Sequence, residues 1–436
     1  MPKPLVSYDA TNMMAKAVGR SGARPQELRK LSKKLNAAKK AVLKLSKTKS
    51  QGWLALPDDE AMVKRIKAMA AKKRRFTTCL VIGIGGSDLG ARALYHALDG
   101  NGMDLVFAGA NTDPDELACL MSCMDWKRTL VNVISKSGDT VEPMATFLIV
   151  RDALIHAVGK ARHAEHVVAT TDAKSGSLRA MAKREGYDTL VVPNNVGGRF
   201  SVLSDVGLFP LACSGVNISK ILDGARRERD AFMKERPNVN SPTIFAALNF
   251  LASVKRGQHI DVLMPYAESL RQFGFWYRQI WAESLGKRKD RKERMKNVGL
   301  TPIAALGATD QHSQIQLYNE GPNDKTVTFI HVGSFSSGLR IPVSVKDIPK
   351  LSYLSGMKLE RVIHAEEQGT AEALRKSHRP NGTLVIPTVS PESMGSLIMF
   401  FEIATAMSGE LFNINAYDQP GVESGKRAMK RFLLSR

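Results

Sequence analysis

Cysteine is scarce in this chain, with four residues in 436, too few for a disulfide scaffold. Cys119 and Cys123 lie one helical turn apart, the spacing of half a metal site, but no second Cys or His pair at ligand spacing accompanies them. Their reading is buried thiols in a reducing compartment. HExxH motifs, EF-hand loops and clustered Cys/His ligands are missing, so no bound metal is expected. Long apolar runs are missing too. The best, Ser396 to Met407, is short and interrupted by Glu402, which argues against a membrane span. No apolar stretch follows the first basic residues, so no secretory signal is read there and the cytoplasm is the default location.

What is present is ordinary for a globular protein: 43% hydrophobic residues, with four Trp and sixteen Phe. The length suits two or three domains. Acidic residues are outnumbered 42 to 63, for a net charge of +21. The excess is uneven. Residues 1–50 hold thirteen Lys or Arg against Asp9 and Glu27, a local charge of +11. A second basic run, Lys287 to Lys296, reads KRKDRKERMK. Such runs suit an anionic partner or a solvated helix face, and a positive field draws a phosphorylated substrate in either case.

Leu28, Leu31, Leu35, Ala38, Val42 and Leu45 alternate spacings of three and four, which predicts a helix over 26–48 with lysines on its other faces. Apolar strands follow at Thr78–Ile84, Leu105–Ala108, Leu130–Ile134, His166–Thr170 and Thr189–Val192. Helical segments such as Ala91–Leu98 and Pro143–Val158 separate them. Short buried strands alternating with helices predict a parallel sheet covered on both faces. The rhythm breaks over Lys220–Arg236, a charged helical stretch. It restarts with strands at Ile260–Pro265, Pro302–Gly307, Thr326–His331 and Thr383–Ile386. The expected organisation is a basic N-terminal helical segment (1–50), two α/β domains (51–225 and 226–409) meeting at a hinge near 225, and a C-terminal tail (410–436).

Six polar motifs punctuate this pattern. Gly83-Ile84-Gly85-Gly86-Ser87-Asp88-Leu89-Gly90 follows a strand. It lacks the third glycine of the dinucleotide fingerprint and the GK[ST] of a Walker loop, so it signals only a ligand or a tight turn near a helix start. Ser135-Lys136-Ser137-Gly138-Asp139-Thr140 offers hydroxyls and N–H groups at a helix start, a cradle for a phosphate monoester, with Thr140 placed to serve as the helix cap. Gly197-Gly198-Arg199 lets the chain press close to a ligand and project one fixed cation, although a surface arginine after a loop has the same appearance. Gln279 and Glu283, inside Gln279-Ile280-Trp281-Ala282-Glu283-Ser284-Leu285-Gly286-Lys287, are four apart and share a helix face. That suits a general base or an ordinary solvated pair. Gly307–Ser313 contributes His312, and Asp418–Lys426 contributes Gln419 and Lys426, each inside a polar, glycine-bearing segment.

In this order, over about residues 53 to 430, the six motifs resemble the glucose-6-phosphate isomerase family, in its shorter bacterial type. The resemblance implies an α/β fold of two sugar-isomerase (SIS) domains, each a parallel sheet flanked by helices in a three-layer αβα sandwich. It implies cofactor-free interconversion of glucose 6-phosphate and fructose 6-phosphate, and a homodimer. Ser87, Ser135, Ser137 and Thr140 would hold the phosphate, with Lys136 beside the sugar and Gln279 on the phosphate side. Gly198 and Arg199 match the pair that offsets the enediolate charge, and Glu283 the carbon base. His312, reaching in from the partner subunit, and Lys426 would open the ring, with Gln419 beside them in the tail. The chain departs from the family at Ser137-Gly138-Asp139, where Asp139 is expected to point away from the phosphate, and in its basic N-terminus. A single base acting through a cis-enediolate suits a site without a metal, because a hydride shift needs one to polarise both oxygens. Three other readings stay open: a bifunctional glucose/mannose phosphate isomerase, a non-catalytic phosphosugar-binding protein, and nucleic-acid binding by the basic N-terminus. The last lacks interleaved aromatics.

Overall fold

A computed structural model describes residues 3–48, 50–345 and 347–435. In chain order the strands are β1 (Ser7–Asp9), β2 (Thr78–Ile82), β3 (Asp104–Ala108), β4 (Thr129–Ile134), β5 (Val167–Thr171), β6 (Asp188–Val191), β7 (Ile260–Pro265), β8 (Lys287–Lys289), β9 (Met295–Val298), β10 (Thr301–Ala304), β11 (Lys325–Val332) and β12 (Asn381–Ile386). The first sheet has the order β3-β2-β4-β5-β6 and every pairing in it is parallel. The second has the order β1-β12-β11-β7-β10, parallel except for its edge strand β1. A short antiparallel hairpin, β8–β9, stands apart.

Strand residues alternate between two apolar layers, as the pleat requires. In β2, Cys79 and Val81 join the largest hydrophobic cluster, while Leu80 and Ile82 pack with Phe147, Val150 and Leu154 on the opposite face. In β7, Leu263 joins the largest cluster, while Val262 and Met264 face Phe329 and Leu374. The largest cluster therefore draws on one face of each sheet, together with the long helices. Both sheets are covered on both faces, the architecture expected for an α/β protein of this type.

Four helices frame the site and its surroundings. The lysine helix, Pro25–Lys47, buries Leu35, Ala38 and Val42 and exposes most of its lysines. The Glu283 helix spans Arg271–Leu285. The core helix, Pro391–Phe412, starts at Ser390, whose hydroxyl accepts from the Ser393 N–H at 3.2 Å, and ends at Asn413 in the left-handed region at φ 58°. The tail helix is Glu423–Leu434.

Several expectations need correction. Cys119 and Cys123 are exposed, not buried; Cys79 and Cys213 are the buried thiols. The apolar stretch around Ser396–Met407 is longer than read. Its helix has 22 residues and is long and apolar enough to cross a bilayer, yet 94% of its most apolar window is buried inside the protein. The charged helical stretch expected at 220–236 is a helix over Ile218–Lys234, packed along the core helix. Ala225, where the two α/β domains are expected to meet, is buried within it. The N-terminal segment is not only helical, because β1 pairs with β12 through Ser7↔Val385 and Asp9↔Thr383.

Candidate active site

In the first sheet β2 pairs with β3 on one side and β4 on the other, so the strand order reverses at β2 and β4. Open parallel sheets take their ligands in the crevice at the carboxyl ends of such strands. Both glycine- and serine-rich motifs leave the sheet here, GIGGSDLG after β2 and SKSGDT after β4.

The first loop turns at Gly85–Ser87 and is pressed between two other motifs. A Cβ on Gly86 would lie 2.2 Å from the carbonyl carbon and oxygen of Gly198, and one on Gly85 would lie 2.7 Å from Gln279 Nε2. Only glycine permits this approach, which seats the loop against both Gly198-Arg199 and the Glu283 helix. Ser87 is half-buried at its end.

In the second loop Ser135 is buried, and its hydroxyl oxygen accepts from the Gly138 N–H at 3.0 Å. Gly138 sits at φ +73°, where a Cβ would also strike the Leu178 backbone. Ser137 is exposed and accepts from the Asp139 N–H at 3.2 Å. Each hydroxyl thus keeps its own proton to donate. Thr140 occupies the cap position of the helix Val141–Val158, but its side chain makes no capping bond. Asp139 is exposed and its carboxylate accepts the Ser177 hydroxyl. Lys136 Nζ donates to the Asn194 carbonyl at 3.0 Å, and burial holds its ammonium below the usual range, opposed by Asp172.

Arg199 is 3% exposed and wholly engaged. Its Nε donates to Ser284 Oγ at 2.7 Å, and its Nη2 to the carbonyls of Ala416 at 2.6 Å and Asp418 at 3.0 Å. Its Nη1 donates to Gln419 Oε1 at 3.0 Å and lies 3.4 Å from Glu283 Oε1. Burial pulls the guanidinium pKa down, while Glu283 and Asp418 oppose that pull. The other Glu283 oxygen accepts from Gln279 Nε2 at 3.1 Å, as the i,i+4 spacing anticipates. A carboxylate pinned at both oxygens, with a desolvated cation beside it, suits proton transfer next to a developing oxyanion.

Lys287 and Ser284 carry weight that the sequence reading did not assign them. Lys287 is 8% exposed, and its ammonium joins the Glu283 carbonyl at 2.8 Å to the Asp418 carbonyl at 2.9 Å. Burial lowers its pKa and neighbouring Arg199 lowers it further, against Asp418 and Glu283. Its i,i+4 spacing from Glu283 was the available signal. The tail carbonyls of Ala416 and Asp418 had none, since backbone acceptors are silent in sequence.

The structure brings Gly198, Arg199, Gln279, Glu283 and Gln419 together across loops and the Glu283 helix, with Ser87 on the adjoining loop and Ser135, Lys136, Ser137 and Thr140 on the loop after β4, and leaves two residues apart. His312 is exposed on the turn Thr309–His312, and its side chain makes no hydrogen bond or ion pair among the described residues. Lys426 is exposed on the tail helix and, among the described residues, pairs only with Glu423 at 3.0 Å.

A family model described as phosphoglucose isomerase matches residues 61–435. A protein named glucose-6-phosphate isomerase from Carboxydothermus hydrogenoformans is 41% identical over 90% of this chain and 88% of its own length. Another of that name, from Rubrobacter xylanophilus, is 38% identical over 97% and 96%. Among solved structures, hypothetical protein TT0462 from Thermus thermophilus superposes with a TM-score of 0.90 at 34% identity, covering 99% of this chain and 100% of that one. A glucose-6-phosphate isomerase from Chlamydia trachomatis gives 0.78 at 28% identity, over 86% and 73%.

Proposed function

The chain belongs to the phosphoglucose isomerase family and interconverts glucose 6-phosphate and fructose 6-phosphate; we propose that it does so with Glu283 as the base that carries the proton between C2 and C1. The observation that carries this reading is the pairing of Glu283 with Arg199 at 3.4 Å beside the crevice of the first sheet. The phosphate sits in the cradle of Ser87, Ser135, Ser137 and Thr140, with Gln279 on the phosphate side and Lys136 beside the bound sugar. The C2–H of an open-chain aldose is a weak acid, and its conjugate base needs a cation at the oxygen where charge develops. Arg199 supplies that charge. A single carboxylate serves both carbons when the enediolate is cis, so Glu283 removes the proton at C2 and returns it at C1.

Ring opening comes first and moves protons at O5 and O1, which calls for a separate acid–base pair. His312 fills that role from the partner subunit of a homodimer, imidazole being the side chain most used for proton exchange in catalysis. Its exposure and its lack of partners among the described residues of its own chain fit this. Lys426 assists from the tail helix, and Gln419 steadies Arg199. The four free thiols favour a reducing compartment, the cytoplasm.

Glu283→Gln tests the assignment. It keeps the Gln279 contact geometry but removes the base. Turnover of fructose 6-phosphate should fall by about three decades, within the range for a general base, while binding of a hexitol 6-phosphate survives. Turnover near the wild-type value would overturn the assignment.

A further inference from the structure

Apart from Lys287, the reaction leaves the two basic runs without a part, and the fold brings them to one face. Lys30, Lys34, Ala37, Ala41, Lys44 and Thr48 recur every three or four residues along the solvent side of the lysine helix and its end. Ala41, Lys44, Leu45 and Thr48 form one wall of a cavity of about 340 Å³; Arg291 of the β8–β9 hairpin, Glu410, Asn415 and Tyr417 form the other. Farther along the stripe Lys34 approaches Lys296. Burial, and then the Lys296 charge, hold the Lys34 ammonium below its usual range. Among the described residues, Lys296 Nζ itself donates only to the Phe412 carbonyl, at 2.7 Å. The one carboxylate on the described cavity wall, Glu410, is taken by both terminal nitrogens of Arg291. Lys44 has no ion-pair partner among the described residues.

With Arg291 neutralised by Glu410, Lys44 is the uncompensated charge on the described wall, and Lys34 and Lys296 add charge of the same sign farther along the stripe; like charges repel, and a bound anion relieves that repulsion. The cavity falls in the size range of small-molecule sites. We propose that this groove is a second anion site, taking a compact multivalent anion of the diphosphate kind, and that its occupancy is felt at Arg199. The coupling runs through the wall itself. Asn415 Nδ2 donates to Asp418 Oδ2 at 2.8 Å and the Tyr417 N–H donates to Asn415 Oδ1 at 3.1 Å. This turn presents the Ala416 and Asp418 carbonyls to Arg199. An anion that takes the Asn415 amide releases Asp418, loosens the turn and weakens the hold on Arg199.

The test is calorimetry with inorganic pyrophosphate on the full chain, its active site filled with a hexitol 6-phosphate, an open-chain analogue that lacks the reacting carbonyl. Pyrophosphate should still bind at one site per chain. Lys44→Glu should weaken that binding by about tenfold or more, the size of one close charge contact. Lys44→Arg should keep it, and so should Lys183→Glu, an exposed lysine on the helix Ser177–Glu185 that does not line the groove. In steady-state assays pyrophosphate should lower kcat in the wild type and not in Lys44→Glu. Complete displacement of pyrophosphate by the hexitol phosphate, or wild-type binding by Lys44→Glu, overturns the site. Unchanged kcat at saturating pyrophosphate overturns the coupling.

Discussion

Glu283 and Glu402 lie on helices that pack against each other, and their surroundings differ in every respect that matters to a carboxylate. Glu283 keeps 26% of its side chain exposed, has Gln279 on one oxygen and faces Arg199 with the other. Glu402 is fully buried on the core helix, and neither of its oxygens has a hydrogen-bond partner among the described residues. Burial alone drives its pKa well above the carboxylate range. A charge without a partner in an apolar interior neutralises itself by keeping its proton. Glu402 is therefore an acid frozen in its neutral form, while Glu283 has a cation within reach and a path to solvent. Burial by itself does not make a general base; the partners decide.

Removing the partner is the strongest way to break this contrast. Arg199→Ala should lower kcat for fructose 6-phosphate by about 10²–10³, as loss of a preorganised charge at a developing oxyanion does. It also strands the Ser284 hydroxyl and the Ala416 carbonyl, so thermal unfolding should move down in parallel. Arg199→Lys should recover only part of the activity, because one ammonium cannot span the five acceptors the guanidinium reaches. Wild-type turnover in the alanine variant would leave Glu283 no different from any solvated glutamate. Gly86→Ala attacks the same pair from below. Its new Cβ meets backbone atoms of Gly198 at 2.2 Å, which no rotamer change relieves. Overpacking of this kind costs about 1–3 kcal/mol, and the displacement falls on the residue before Arg199. A urea midpoint and kcat equal to wild type would refute the packing argument.

Lys287→Met gives a smaller effect that separates positioning from chemistry. The variant keeps the stem and leaves the carbonyls of Glu283 and Asp418 without their shared donor. Loss of a buried polar partner costs about 1–3 kcal/mol of stability. If Lys287 only aligns Glu283 with Arg199, kcat should fall by about tenfold, the equivalent of about 1.4 kcal/mol at the transition state, with KM for fructose 6-phosphate nearly unchanged. A rise in KM at constant kcat would instead place Lys287 against the substrate.

Much of this frame was legible in the sequence, for identifiable reasons. Strands β2, β4, β7 and β11 are short apolar runs, and burial on both faces leaves such runs no other reading. Gln279 and Glu283 met because a helix puts i and i+4 on one face. What stayed hidden depends on long-range contact. Ser7-Tyr8-Asp9 has no strand signature and becomes β1 only because β12 offers an edge. The hairpin β8–β9 is written almost entirely in charged residues, which read as a solvated run. Cys119 and Cys123 looked buried by residue type, but the helix Pro114–Ser122 that leads into Cys123 buries none of its residues. The approach of the lysine helix to Arg291 and Lys296 spans about 250 positions of sequence, and no local pattern encodes it.

The smallest catalytic effects belong to the other side of the comparison. Glu402→Leu should leave kcat and KM at wild-type values. Replacing a buried, unpartnered acid by an apolar side chain of similar reach is neutral or stabilising, by up to about 1–4 kcal/mol. The neighbouring interface adds a dependence on pH. Glu228 is fully buried, and one of its oxygens accepts from Ser396 Oγ at 2.8 Å; burial pushes its pKa from 4.5 up to about 8. Between those values the unfolded chain releases a proton that the folded chain keeps, so stability falls as pH rises. The contribution is whole below pH 4.5 and lost by about pH 8. Glu228→Gln cannot ionise, so its urea midpoint should gain on the wild type between pH 5 and 8 while its turnover stays the same. Parallel midpoints across that interval would mean that Glu228 already carries its charge in the folded protein. A buried carboxylate would then survive ionised without a cation, and the contrast with Glu283 would lose its physical basis.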